Sequence, residues 1–230
     1  MTSETKLSIC VVGGTGAEGG GLALRWAKAG HRVTIGSRDP AKAEAAAKAL
    51  NELLGREALT GVASADGAAE AEVVVLTVPF AAQRSTLEGL KDTLAGKILV
   101  DVTVPLVPPK VARVQLPETD SCVVATQAFL GEGVRVVSAF QNVSAHKLKD
   151  LGHDAIDCDV LIAGDDKEAR KVVAGLAADA GLRGVEVGPL ANSVVAEALT
   201  SVLIWINRTY KVPDSGIRIT GLPGGTPAAE

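Results

Sequence analysis

Gly14, Gly16 and Gly19 fall in the spacing G-x-G-x-x-G, directly after the apolar run Ile9-Cys10-Val11-Val12. A strand that ends in such a turn and opens into a helix sets a pyrophosphate on the helix N-terminus. The first glycine makes the tight turn, the second lets backbone approach phosphate, and the third lets the helix pack on the strand. Thr15, Ala17 and Glu18 fill the places between them. A plain strand-to-helix turn would accept the same glycines, so the residues downstream decide. Residues 31–36 read as a second strand, and an NAD site carries Asp or Glu near the end of that strand, accepting from the ribose 2′-hydroxyl. Here the place holds Gly36, Ser37 and Arg38, with Lys42 one helical turn further on. A carboxylate would repel a 2′-phosphate, whereas Arg38 can grip it bidentately and Lys42 can add a point charge. Asp39 precedes Pro40 and reads as the cap of the next helix. The chemistry expected is binding of NADP(H).

Two further stretches could face the crevice of an open sheet. In Leu76-Thr77-Val78-Pro79-Phe80 the proline stops a buried strand, and Thr77, Val78 and Phe80 can lie against a nicotinamide or its ribose. An ordinary strand-to-helix turn reads the same way. After Val137-Ser138-Ala139-Phe140 come Gln141, Asn142, Val143, Ser144 and Ala145, where a strand gives way to polar groups before a helix. Such a place can line a pocket for a planar, polar second partner; equally, Ser144 can be a helix cap and Asn142 a turn residue.

The elements that must position these residues follow an alternating β/α order, which predicts an α/β, Rossmann-type doubly wound parallel sheet with a smaller C-terminal α/β domain. Strands are expected at 7–12, 31–36, 60–62, 73–78, 98–103, 122–126, 134–140, 160–163 and 185–187. Helices are expected at 18–29, 40–54, 80–90, 167–180 and, long and strongly apolar, 190–210; the tail 224–230 reads as loose. The domain change is placed near 139, giving a dinucleotide-binding unit at 1–138 and a second unit at 139–230. A length of 230 residues permits this, and 47% apolar residues with 3% aromatic leave Ala, Val and Gly to pack the core. The net charge of −4 gives no support for nucleic-acid binding, and no polybasic cluster suggests a membrane surface. Cys10, Cys122 and Cys158 are odd in number and lack metal-ligand spacing, so they read as buried thiols in a reducing, cytoplasmic compartment, and no metal site is expected. His31, His146 and His153 read as solvated.

Taken together, the chain resembles the NADPH-dependent coenzyme F420 reductases (F420H2:NADP oxidoreductases). The resemblance is carried by Gly13-Gly14-Thr15-Gly16 with Gly19, Gly20-Gly21-Leu22-Ala23-Leu24-Arg25, Gly36-Ser37-Arg38 with Lys42, and Leu76-Thr77-Val78-Pro79-Phe80. It continues through Val137-Ser138-Ala139, Gly164-Asp165-Asp166, Gly188-Pro189-Leu190 with Asn192-Ser193, and Gly216-Ile217. It implies a cytoplasmic homodimer that moves hydride between the deazaflavin F420 and NADP in a crevice between two domains. Residue by residue, Thr15 to Glu18 would hold the pyrophosphate, and Ser37, Arg38 and Lys42 the 2′-phosphate. Val78 and Phe80 would lie beside the nicotinamide half, and 141–145 would touch both rings. One departure is Gln141, where the family often has histidine; Gln can donate and accept at a deazaflavin edge but cannot titrate. The two coenzymes carry the reactive carbons, so the protein's task is alignment at ~3–3.5 Å and exclusion of water. No side chain is assigned a proton-transfer role. The helix at 190–210, apolar nearly all round, would be buried at the dimer interface or else serve as an intrachain core helix. Two rival readings are an NADP-dependent reductase of a small imine or ketone, with Lys147 as a proton donor, and a non-catalytic NADP(H)-sensing module.

Overall fold

A computed structural model of the chain describes residues 6–222; the tail expected to be loose at 224–230 lies outside them. Strand β1 (Ser8–Val12) is buried throughout and pairs in parallel with β2 (Arg32–Ser37) on one side and β4 (Val73–Leu76) on the other. Beyond them lie β3 (Leu59–Ala63), β5 (Ile98–Asp101) and β6 (Arg135–Ser138). The last two strands are β7 (Asp159–Gly164) and β8 (Arg183–Glu186). The order β3-β2-β1-β4-β5-β6-β7-β8 is parallel except at β6–β7. The first six strands thus have the doubly wound order, in which the strand order reverses between β1 and β4 and opens a crevice at the strands' C-terminal ends. The sheet runs without a break across residue 139, with Val137 opposite Gly164 and Ser138 opposite Ala163.

Alternation along the strands divides the core into two layers. Ile9, Val11, Val33, Ile35, Val73 and Val75 face the side covered by α1 (Ala17–Lys28), α2 (Pro40–Leu54) and α7 (Lys167–Asp179). Cys10, Val12, Val74, Leu76, Leu99 and Val136 face the side covered by α3 (Ser64–Glu70), α4 (Phe80–Leu90) and α5 (Cys122–Leu130). Asp39 caps α2 by accepting from the Ala41 N–H at 3.1 Å, as the Asp-Pro pair predicts.

Three expectations are corrected. Residues 122–126 form the start of α5, not a strand. Their β-branched run is overridden at the helix N-terminus, where Ser121 accepts from the Val124 N–H and the buried carboxylate of Glu197 accepts from the Cys122 N–H. The strand expected over 134–140 stops at Ser138, because Phe140 turns the chain at φ +73°. His31 is not solvated: its side chain is fully buried, Leu7 N–H donates to Nδ1, and Nε2–H donates to Asp179 at 2.9 Å. A histidine beginning a strand gave no sign of a partner 148 residues away. His146 and His153 are exposed.

The last long helix, α8 (Ser193–Tyr210), follows a 3-10 turn at Leu190–Asn192. The stretch Leu190–Tyr210 is long and apolar enough to cross a membrane by length and composition alone. It is instead bound into the fold: Glu197 is buried against α5, and Thr200 donates to the Gln141 carbonyl. Its other face is bare within one chain, with Val195 58%, Val202 43% and Trp205 61% exposed.

Candidate functional site

The glycine loop sits at the C-terminal end of β1, on the same sheet edge as the ends of β2, β4 and β6. Gly13 N–H donates to the Gly36 carbonyl at 3.0 Å, which holds the loop against the end of β2. The N-cap of α1 is Gly16, which has no side chain to satisfy the first N–H groups of the helix. An uncapped helix start in an open crevice is a ready anion seat. Gly19 cannot be replaced without a clash, since a Cβ there would drive into Thr77 Oγ1 and approach Gly14 Cα at 2.9 Å. That close approach brings the first turn of α1 onto the end of β4, where Thr77 donates from Oγ1 to the Val12 carbonyl.

Ser37 lies at the last position of β2, and Arg38 and Lys42 are exposed beyond it. Ser37 Oγ accepts from the Asp39 N–H at 3.2 Å, so the turn is held while both cations stay at the surface. Val78 and Phe80 are partly buried and lean on the core layer beneath α4. Ser37, Arg38, Lys42, Thr77, Val78, Phe80 and the glycine loop therefore share one continuous edge.

The segment 141–145 closes that edge from the far side of β5. Gln141 is buried and its Nε2 donates to the Asp101 carbonyl at 2.8 Å and to Ser138 Oγ at 2.9 Å. Asn142 donates from Nδ2 to the Asp159 carbonyl at 2.6 Å. The acceptor oxygens of both amides are buried with no partner among the described residues. Buried polar atoms are normally satisfied, so unpaired ones at a crevice mark a place where a ligand can bond. Ser144 caps α6 (Ala145–Lys149) by accepting from the His146 N–H, and its own hydroxyl donates to Asp214.

What ties this segment to the glycine loop escaped the sequence reading. Arg25, on α1, is 3% exposed and spends its guanidinium on backbone carbonyls of α6 and of the turn after it. It donates to Leu148 at 2.9 Å, Lys147 at 3.0 Å, His153 at 2.8 Å and Asp154 at 3.2 Å, and to Asp150 as well. One turn earlier, a Cβ on Gly21 would meet Leu148 Cβ at 2.6 Å, so only glycine lets α6 seat on α1. The signal was present as a lone cation inside Leu22-Ala23-Leu24-Arg25-Trp26-Ala27. Glu197, the lone acid of α8, was overlooked in the same way.

The electrostatics separate the groups further. Burial pushes the Glu18 carboxyl up to about 8, with no charged neighbour opposing it. Burial likewise raises Asp101, against hydrogen bonds from Thr103, Thr126 and Gln83. The thiols of Cys10, Cys122 and Cys158 are all buried and raised, Cys10 to about 12, which leaves none as an available thiolate. No cluster of metal-ligating side chains occurs among the described residues.

Comparison with known proteins gives the same picture along the whole chain. Residues 8–105 match the family model for the coenzyme F420-dependent NADP oxidoreductases. An F420-dependent NADP reductase of Methanothermobacter thermautotrophicus is 42% identical, with 97% of this chain and 99% of that protein aligned. The F420-dependent NADP reductase of Methanocaldococcus jannaschii is 44% identical over 94% of this chain and 99% of its own length. Among solved structures, a protein from Arthrobacter sp. FB24 described as an F420-dependent NADP-reductase superposes with a TM-score of 0.77 at 30% identity, covering 93% of this chain and 99% of that one.

Proposed function

The chain belongs to the coenzyme F420-dependent NADP oxidoreductases, and from the crevice it builds we propose how its residues transfer a hydride between F420 and NADP(H). The reaction is F420H2 + NADP+ → F420 + NADPH + H+, run in either direction. When bound, the two coenzymes supply the chemistry themselves, nicotinamide C4 and deazaflavin C5 exchanging the hydride. The chain's part is to bind, align and dry the site. The uncapped start of α1, through 14–19, takes the pyrophosphate. Ser37, Arg38 and Lys42 take the 2′-phosphate, and Thr77, Val78 and Phe80 flank the nicotinamide half. Gln141, Asn142, Val143 and Ala145 form the wall for the deazaflavin.

One observation carries the assignment of the second ring: the unpaired, buried acceptor oxygens of Gln141 and Asn142. Their donor ends are fixed to Asp101, Ser138 and Asp159, which leaves each amide's oxygen, and not its nitrogen, to accept from a partner. A planar heterocycle with ring N–H donors meets that demand. The two units 1–138 and 139–230 act as the coenzyme seat and the closing wall. A second copy covers the bare face of α8, since Val195, Val202 and Trp205 lie seven and three residues apart on one helical face. The enzyme works in the cytoplasm, in keeping with three unpaired cysteines.

The test mixes purified protein with F420H2 and NADP+ and follows the absorbance of oxidised deazaflavin. Recovery of the band with NADP+ and little with NAD+ is expected. Tight NADP+ binding with no turnover would return the protein to the non-catalytic sensor reading.

A further inference from the structure

Glu18 has a place that the transfer reaction leaves unexplained. It stands in the first turn of α1, inside the glycine loop proposed as the pyrophosphate seat. The residue as a whole is only partly covered, yet its Oε1 is fully enclosed and has no partner among the described residues. Glu18, Gly21 and Arg25 recur at the three- and four-residue spacing of one helical face. Gly21 on that face is against Ala145 and Leu148, and Arg25 against the turn after α6. Continuing the progression toward the helix start, Glu18 faces the seam between the pyrophosphate loop and the 141–145 wall.

The charged groups on the elements around this seam do not compensate it: Arg38 after β2, and Lys42, Glu44 and Lys48 on α2, are all exposed, and burial is unopposed at the Glu18 carboxyl. Arg25 is committed to backbone carbonyls. On α6, His146 is exposed and turned to Asp214, with Nδ1 3.6 Å from the carboxylate, and Lys147 is only partly covered. Asp214, on the C-terminal segment, adds negative charge and accepts from Ser144. An enclosed, uncompensated carboxylate beside a bound pyrophosphate would combine desolvation with like-charge repulsion.

We propose that Glu18 meets the coenzyme as a neutral acid, its O–H donating within the pyrophosphate seat, so that binding takes up one proton wherever Glu18 starts ionised. This rests on the reading of 14–19 as the NADP seat. The balance is enzyme-COO⁻ + H⁺ + NADP → enzyme-COOH·NADP, the proton coming from solvent. The upward shift of the free carboxyl to about 8 sets where the effect begins. Below that pH the coenzyme finds the acid ready. Above it, affinity falls by up to tenfold for each unit of pH.

Isothermal titration of the full-length protein with NADP+ between pH 6.5 and 9.5 tests this. The wild-type dissociation constant should stay level to about pH 8 and then climb, with Glu18→Gln flat across the range. A measurement on the wild type alone makes the result independent of any variant's folding. At pH 8.5, titrations in buffers of different ionisation enthalpy should show net proton uptake of a half or more per NADP+. The 2′-phosphate, with a second pKa near ~6, is fully ionised there and contributes none. A level wild-type profile with no proton uptake overturns the proposal while leaving the seat intact. A Glu18→Gln profile as steep as the wild type's also overturns it, because another group would then be titrating. Absence of NADP+ binding at every pH would remove the seat itself.

Discussion

The two walls of the crevice are made by opposite means. The glycine loop with Ser37, Arg38 and Lys42 is local: a strand, a turn and a helix start, with its cations at the surface and its amide donors uncapped. The 141–154 wall is assembled from a distance. Gln141 is held by Asp101 and Thr200, Asn142 by Asp159, Ser144 by Asp214, and the turn after α6 by Arg25. A wall that must accept a large anion stays open and polar. The wall proposed to present a flat ring at fixed spacing is braced by contacts separated by up to 129 residues. Breaking the braces should damage one half of the site and spare the other.

Arg25→Ala gives the largest effect. It strands carbonyls of Lys147, Leu148, Asp150, His153 and Asp154 that are wholly or partly buried. Leaving several such acceptors unpaired costs about 3–5 kcal/mol, or on the order of 10 °C in melting temperature for a chain of this size. At a temperature where the variant is folded, the KM for F420 should rise while NADP+ affinity stays within a few-fold. Equal losses on both sides would show that the walls are not independent.

Next in size is Asp159→Asn. The carboxylate sits between Arg183 and Arg218 and accepts from the Ile219 N–H at 2.6 Å. Burial works to raise it, but the bonds from Arg183 and Ile219 and both guanidinium charges hold it below the usual carboxylate range. Removing one partner from a buried ion pair costs about 3–5 kcal/mol, and this site belongs at the lower end because the arginines keep some exposure. A lowered native value means the stabilisation is present above about pH 4 and is lost as pH falls through the native value. Urea denaturation from pH 7 down to 3 should therefore show the gap between wild type and variant narrowing in acid.

How much of this was legible follows the same division. The glycine loop, the cap at Asp39, the cations after β2 and the alternation of strands and helices in the first half are consequences of short-range pattern, and the sequence displays them. The start of the Cys122–Leu130 helix carries the β-branched pattern of a strand, and the Glu197 carboxylate that joins Ser121 at its N-terminus lies 75 residues on. His31, Arg25 and Trp26 look like ordinary helix and strand residues. Their partners Asp179, the 147–154 carbonyls and the Leu176 carbonyl come from the far end of the chain. The position of 141–145 was readable as a polar strand end, but the direction in which Gln141 and Asn142 present their oxygens was not. That depends on which groups take their nitrogens, and no local pattern encodes it.

Arg38→Asp is a binding effect of middle size, confined to the open wall. Charge-assisted hydrogen bonds contribute about 1.5–3 kcal/mol each, so NADP+ affinity should fall by ten-fold or more, with NAD+ affinity little changed and thermal stability within about 0.5 kcal/mol. Parallel titrations with the two dinucleotides check it. An equal loss for both would mean that Arg38 holds something other than the 2′-phosphate.

The smallest expected effect tests the bracing at its weakest point. Ser144 accepts from the His146 N–H at 3.3 Å and donates to Asp214, joining the start of α6 to the C-terminal segment. Ser144→Ala removes an N-cap worth about 1 kcal/mol, equivalent to about 2–4 °C in melting temperature. It leaves Gln141 and Asn142 anchored to Asp101, Ser138 and Asp159. If the wall acts as one braced unit, even this loss should raise the KM for F420 a few-fold and leave that for NADP+ unmoved. If the amide anchors alone fix the wall, both constants will hold and only the melting temperature will fall. Steady-state kinetics of Ser144→Ala beside its thermal melt separate the two, and only the first outcome extends the long-range bracing to the start of α6.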